Sequence, residues 1–227
     1  PADTRVLDDV VRFKGQRVAV VAAASVTAAE AGVRALRIDY EILPAVFEPD
    51  EALAPGAPLL HAAAAAEPGV GTPAPSNIVA ELHAELGNPE AGFTASAAVH
   101  EETYYSQRLQ HAALETHAAI ASFDEHGRLV VRTSTQVPFL VRRTLCRVFD
   151  LQLEKVRVVS GRVGGGFGGK QEVLVEDVAV LAALRLGRPV QIELSREEQF
   201  TASTTRHPFR VRVKAGADAQ GMLTALA

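Results

Sequence analysis

The residues with the clearest chemical potential form the sequence VGGGFGGK, residues 163–170 (the glycine loop). A backbone without Cβ atoms lets a ligand approach closely and lets N–H groups turn toward an anion. Val156 and Val158 predict a strand before the loop, and an apolar helix is predicted after it over residues 172–186, ended by Gly187. This strand–loop–helix order predicts a binding loop at a helix N-terminus.

Two nucleotide-binding motifs fit the glycine loop only in part. Gly164, Gly166 and Gly169 have the G-x-G-x-x-G spacing, but no acidic residue ends a second strand about twenty positions later. Lys170 aligns with the lysine of a phosphate-binding loop, yet Gln171 stands where Ser or Thr should bind magnesium. The nucleoside triphosphate interpretation is therefore rejected. A glycine turn needed only for packing and a simple phosphate-binding module stay open.

Three residues between positions 111 and 117 could supply metal ligands. They are His111, Glu115 and His117, but the sequence offers no second cluster at a suitable spacing, and such histidines are more often hydrogen-bonded structural residues. Arg206 and His207 are given a structural role for the same reason. No metal is predicted on these side chains.

Composition excludes several classes of protein. The chain carries 23 basic and 27 acidic residues, a net charge of −4, which predicts no nucleic-acid partner. Cys146 is the single cysteine, so neither an internal disulfide nor a cysteine-bound iron–sulfur cluster can form within the chain. No apolar run is long enough to span a membrane, and a reducing cytoplasm is the expected location.

The hydrophobic pattern predicts an α+β protein with three consecutive parts. Residues 1–60 are predicted to form a small β–α–β unit, with strands at 17–24 and Ile38–Ile42 around a helix capped by Thr27. Residues 61–98 are rich in Ala, Pro and Gly and are predicted to connect two domains. Residues 99–227 form the second domain, with three strands and a helix before the loop: strands near 99–105, 118–123 and 129–135, and a helix over 138–149.

Several motifs in one order resemble the molybdenum hydroxylases of the xanthine dehydrogenase/aldehyde oxidase family. The glycine loop is preceded by TSTQVPF, and further segments agree along nearly the whole chain. They are GQRVAVVAA, DYEILPAVFEPDEAL, HAALETH, GRLVVRTSTQ, GRPV and RHPF. The resemblance implies a partial α/β-hammerhead domain followed by the N-terminal part of the molybdenum-cofactor-binding domain.

The resemblance also implies a reaction and its cofactors. Family members hydroxylate a carbon of an aldehyde or N-heterocycle, purines included, with water as the oxygen source. The cofactor is molybdenum-molybdopterin, with the cytosine dinucleotide form among the candidates. Electrons leave through Fe–S clusters, often to FAD, on other domains or subunits. The implied partners are the remainder of the molybdenum-binding subunit, the Fe–S and flavin components and a small-molecule substrate, with no membrane partner.

Site residues follow from the resemblance by position. Gln136 matches the family glutamine whose amide faces a ligand of molybdenum, and Phe167 matches a loop residue next to the metal; both are expected in the catalytic centre. Gly165, Gly166 and Gly168 are expected to contact the cofactor through their backbone, together with Gln136 and Phe167.

One departure from the family pattern concerns the substrate. Purine-hydroxylating relatives have a glutamate directly after the loop lysine, where this chain has the neutral Gln171. Gln171 is therefore expected to contact the substrate by hydrogen bonds alone, and purine specificity is in doubt. The family's catalytic glutamate is expected downstream of Ala227, so the chain is predicted to be an inactive fragment. The alternative is a non-catalytic binding or scaffold module that retains the fold.

Overall fold

The computed structural model describes residues 5–61 and 77–227. Helices lie at α1 Val26–Ala35, α2 Pro49–Leu53, α3 Pro89–Ala95, α4 Pro138–Phe149, α5 Glu176–Leu186 and α6 Arg196–Ala202. Strands lie at β1 Ala98–Ser106, β2 Ala118–Phe123, β3 Leu129–Thr133, β4 Val156–Ser160, β5 Val190–Glu193, β6 Phe209–Ala217 and β7 Leu223–Leu226. The predicted α+β content is confirmed, and no helix of the described residues is long and apolar enough to cross a membrane.

The chain forms two compact units that interleave in sequence. One comprises Pro1–Asn77 and Gln110–Thr204, and the other comprises Ile78–Leu109 and Thr205–Ala227. The division differs from the predicted ranges 1–60, 61–98 and 99–227 because β6 returns to pair with β1. Residues 62–76 of the predicted connection lie outside the described residues, so its role as a domain connection stays a prediction.

The first unit is built on a four-stranded sheet in the order β4-β3-β2-β5. β3 pairs in parallel with β4 and antiparallel with β2, so α4 connects the two parallel strands. Leu129 and Val131 of β3 point to the core, where they meet Val141 and Leu145 of α4. α5 is buried along most of its length, which explains why its sequence is apolar on nearly every side.

Predictions for this sheet are largely confirmed. The helix over 138–149 is α4 with the same limits, begins with Pro138 in its first turn and ends at Asp150 in a left-handed conformation. The helix predicted from residue 172 begins at Glu176 instead, and it ends as predicted at Gly187, whose φ of 62° is left-handed.

The strands predicted in the first fifty residues are wrong. Neither residues 17–24 nor Ile38–Ile42 pair with another strand among the described residues, although α1 forms between them. Alternating hydrophobicity predicts which face a strand would bury, but a strand also needs a neighbour for its backbone hydrogen bonds, and the described part of the chain offers none to these segments. The N-cap of α1 is Ser25 and not Thr27, since the Ser25 hydroxyl accepts the Ala28 N–H at 3.2 Å.

The second unit is a three-stranded antiparallel sheet in the order β1-β6-β7. β1 and β6 pair over nine residues each, from Ala98 opposite Ala217 to Ser106 opposite Phe209. α3 packs on β7, and the hydroxyls of Ser96 and Thr224 lie 2.6 Å apart at that contact. The predicted strand near 99–105 is thereby confirmed.

Candidate functional site

The glycine loop lies between β4, which ends at Ser160, and α5, which begins at Glu176. Glu176 explains the late start of the helix. One oxygen of its buried carboxylate accepts the Thr133 hydroxyl at 2.7 Å, and the other accepts the N–H groups of Leu174 and Val175 at 3.0 and 3.2 Å. The chain after the loop is thus attached to the end of β3 before α5 begins.

Lys170, the last residue of the loop, points into the protein. Its side chain is only 1% exposed, and Nζ lies 2.7 Å from Oε2 of Glu115. A lysine buried in this way cannot reach a phosphate in solution. The structure therefore agrees with the rejection of a nucleoside triphosphate site.

Glu115 contacts both ends of the loop. Besides Lys170, its Oε2 accepts the Gly164 N–H at 2.9 Å, and the Glu115 N–H donates to the Gly164 carbonyl at 3.1 Å. Partial burial raises the pKa of Glu115, but the hydrogen bonds from Lys170 and Gly164 and the charge of Lys170 outweigh it and hold this pKa below its ordinary value. The carboxylate is therefore charged at neutral pH.

His117 is a hydrogen-bonded structural residue, as predicted. Its Nε2 lies 3.0 Å from the Gly169 carbonyl and its Nδ1 lies 2.9 Å from Oε1 of Gln199. The Thr204 hydroxyl donates to the same Gly169 carbonyl at 2.9 Å. No group of His, Cys, Asp or Glu in residues 5–61 and 77–227 has an arrangement that could hold a metal ion.

Gln136 follows β3 and docks its side-chain amide on the glycine loop. Oε1 accepts the N–H groups of Gly168 and Lys170, both at 3.2 Å, and the Gln136 N–H donates to the Lys170 carbonyl at 2.9 Å. Gly166 must be glycine for this contact, because a Cβ there would lie 2.5 Å from Cδ of Gln136. Within the described chain Nε2 has no hydrogen-bond partner, so the amide keeps a donor available on an exposed side chain.

The tip of the loop is exposed and left-handed. Phe167 has a φ of 53° and its side chain is 74% exposed, whereas Gly168 has a φ of 86°. A Cβ at Gly165 would lie 3.1 Å from the Phe167 ring, so this ring covers Gly165. A Cβ at Gly168 would meet nothing within 4 Å of the described residues. Gln171, the predicted substrate residue, is exposed directly after Lys170.

These features fit a group that approaches the loop from the side of Gly168. The inner side of the loop is occupied by Gln136 and Glu115, while the outer side is open at Gly168. A neutral amide donor and an exposed aromatic ring border that open side. The structure thus brings Gln136, Gly166 and Gly168 together with Phe167, as the sequence predicted, and leaves Gln171 at the edge.

Two residues that fix the loop were not recognised as such from the sequence. Glu115 was considered only as a metal ligand, and Lys170 only as a phosphate ligand. They lie 55 positions apart, so spacing gives no sign of their ion pair. The one available signal was that a charged residue beside five glycines needs a partner if it is buried.

Comparison with known proteins identifies relatives over the whole chain. The model of the molybdopterin cofactor-binding domain family matches residues 71–227. The probable hypoxanthine oxidase of Escherichia coli O157:H7 is 38% identical over 100% of this chain and 26% of its own length. A probable subunit of the xanthine dehydrogenase of Bacillus subtilis is 37% identical over 96% of this chain and 28% of its own length.

A third relative and a solved structure extend the comparison. The nicotinate dehydrogenase large molybdopterin subunit of Eubacterium barkeri is 34% identical over 97% of this chain and 49% of its own length. The crystal structure of the aldehyde oxidoreductase of Desulfovibrio desulfuricans has a TM-score of 0.88 at 27% identity, covering 99% of this chain and 24% of that one. The chain therefore spans between about a quarter and a half of the length of these relatives.

Proposed function

The chain belongs to the molybdopterin cofactor-binding domain family, and we propose that it supplies one wall of the active site of a molybdenum hydroxylase. The reaction is hydroxylation of an aldehyde or N-heterocycle with water as the oxygen source, and electrons pass to Fe–S and flavin components. One observation carries the proposal. The Gln136 amide is fixed by the loop through its oxygen and leaves its N–H group available beside the open backbone at Gly168.

Each site residue has a defined part in this proposal. Gln136 donates from Nε2 to a ligand of the metal, and its oxygen cannot exchange with Nε2 because two backbone N–H groups already bind it. Gly165, Gly166 and Gly168 let the cofactor come close to the backbone, and Phe167 excludes water from that contact. When bound, molybdenum-molybdopterin supplies the oxygen-transfer and redox chemistry.

The substrate class is proposed from the relatives and from Gln171. The names of the relatives mention hypoxanthine, xanthine, nicotinate and aldehyde, so the family accepts both N-heterocycles and aldehydes. Gln171 is exposed next to the loop and carries no charge, so it would recognise a substrate by amide hydrogen bonds. A neutral N-heterocycle or an aldehyde suits such a residue better than a substrate that requires a carboxylate partner.

Other parts of the proposal concern the whole protein. Residues 1–60 are assigned to a partial hammerhead domain and residues 99–227 to the N-terminal part of the cofactor-binding domain. The remainder of the molybdenum-binding subunit completes the site, with the cytosine dinucleotide form of the pterin and a cytoplasmic location as further expectations. The alternative is a scaffold module of this fold without chemistry.

One experiment separates the enzyme from the scaffold. The full-length protein that contains this chain is purified, its molybdenum is measured, and turnover is followed with an aldehyde, hypoxanthine and nicotinate in ¹⁸O-labelled water. The enzyme proposal predicts about one molybdenum per chain and ¹⁸O in the product of at least one substrate. A full-length protein without molybdenum would establish the scaffold instead.

A further inference from the structure

The ion pair between Glu115 and Lys170 is connected to Gln136 by only one residue. Lys170 donates from Nζ to Glu115 at 2.7 Å, and the same residue donates its backbone N–H to Oε1 of Gln136 at 3.2 Å. Its carbonyl in turn accepts the Gln136 N–H at 2.9 Å. Any movement of Lys170 therefore moves the amide that faces the proposed cofactor.

The ion pair is a costly arrangement for a purely structural purpose. A lysine whose side chain is 1% exposed loses nearly all its hydration, and only a paired carboxylate makes its charged form acceptable. A methionine or leucine would fill the same space at lower cost. The charge must therefore be retained for something that an apolar side chain cannot do, such as fixing one orientation of the loop.

Glu115 is suited to fix that orientation because it binds both ends of the loop with one oxygen atom. Oε2 accepts from Lys170 Nζ at the end of the loop and from the Gly164 N–H at its start. The distance between the two ends is thus set by a single charged acceptor, and charge-assisted hydrogen bonds are stronger than neutral ones. Between these two points lie Gly166 and Gly168, which contact Gln136.

We infer that Glu115 is a positioning residue of the molybdenum site, which acts through Lys170 to place the Gln136 amide. The inference rests on the proposed function and assigns it a residue outside the contact shell of the cofactor. Glu115 does not touch the cofactor in this scheme, and its carboxylate transfers no proton. Its effect is geometric, and small displacements of a positioned group reduce rates by up to about a hundredfold.

The test uses the full-length holoenzyme with Glu115→Gln, and with Glu125→Gln as the matched control, since the Glu125 side chain is 86% exposed in the turn between β2 and β3. Glu115→Gln keeps the size of the side chain and removes the charge. We expect it to retain molybdenum, to lower kcat by about ten- to a hundredfold with less than about a twofold change in KM, and to change the Mo(V) electron paramagnetic resonance spectrum. Glu125→Gln should match the wild type in all of these measurements.

A second variant keeps the test decisive if the unpaired lysine prevents loading. Glu115→Gln/Lys170→Met removes the charge and its partner together, so no buried charge is left alone. We expect this variant to bind molybdenum and to stay slow with a changed spectrum. Wild-type kcat and spectrum in a loaded variant would overturn the inference. Loss of molybdenum from both variants would also overturn it, because the ion pair would then serve loading and not placement.

The outcome is distinguishable from failure of the proposed function. If the wild-type holoenzyme itself contains no molybdenum, the proposed function is wrong whatever the variants do. If the wild type is loaded and active while Glu115→Gln equals it, only the positioning role is wrong.

Discussion

Gly166→Ala offers a precise perturbation of the proposed site, because one methyl group would displace one side chain. The added Cβ would lie 2.5 Å from Cδ of Gln136, well inside any normal contact, and the atoms that it meets belong to a flexible side chain. We therefore expect Gln136 to rotate away while the backbone of the loop stays in place. The hydrogen bonds from Gly168 and Lys170 to Oε1 would be lost together.

The expected magnitudes differ sharply for stability and for rate. Each of the two hydrogen bonds contributes about 0.5–1.5 kcal/mol net, and an exposed amide regains water, so the free energy of unfolding should fall by only about 1 kcal/mol. Loss of a preorganised donor at the reaction centre should instead lower the rate by about 10²- to 10³-fold. Gly166→Ala should therefore reproduce Gln136→Ala: a folded, molybdenum-loaded but slow enzyme.

Stopped-flow measurement of the reductive half-reaction, with molybdenum content and thermal unfolding measured on the same samples, tests this expectation. Gly161→Ala is the matched control, since a Cβ there meets nothing within 4 Å of the described residues. Gln136→Ala/Gly166→Ala should be no slower than Gln136→Ala, because the atoms that clash are already absent. A fully loaded Gly166→Ala enzyme with the wild-type rate would refute the role given to the amide.

Three further perturbations address loading, pH and stability, and one concerns the chain by itself. Gly168→Val should abolish molybdenum loading because its φ of 86° is unfavourable for a branched residue, whereas Gly127→Val, with a φ of 71° in a distant turn, should be strained but loaded; elemental analysis decides. The pKa of Glu115 is held below its ordinary value of 4.5, so its stabilising contribution should be present above that pH and be lost as pH falls through the lower folded-state value; urea unfolding at several pH values should show this dependence vanish in Glu115→Gln. Asp177→Ala should destabilise the protein by about 3 kcal/mol, because it leaves Arg17, which binds this carboxylate at 2.6 and 2.8 Å, without its partner; an unchanged melting temperature would contradict this. The 227-residue chain expressed alone should hold no molybdenum and oxidise neither aldehyde nor purine, and stoichiometric metal with turnover would prove that expectation wrong.

Local sequence patterns predicted those elements whose structure depends on their own residues. α4 was predicted with its observed limits, because an apolar face and a proline in the first turn suffice to define it. The glycine loop was predicted from composition alone. The resemblance to molybdenum hydroxylases rested on several motifs in one order, and the match to the molybdopterin cofactor-binding domain family confirms it.

Features that depend on distant partners were not predicted. The segment 17–24 has the residues of a strand, but no described segment supplies the neighbour that a strand needs. Lys170 was compared with phosphate ligands because lysines are rarely fully buried, and its partner Glu115 lies on a segment 55 residues earlier. The interleaved units follow from the pairing of β1 with β6, which no local pattern contains.

The most direct test of the central claim is a crystal structure of the full-length holoenzyme that contains this chain. The account predicts molybdenum on the open side of Gly168, with Nε2 of Gln136 within about 3.2 Å of a ligand of the metal. It also predicts that Oε1 still accepts from Gly168 and Lys170. Molybdenum bound elsewhere, or a Gln136 amide turned away from it with the loop unchanged, would contradict the account.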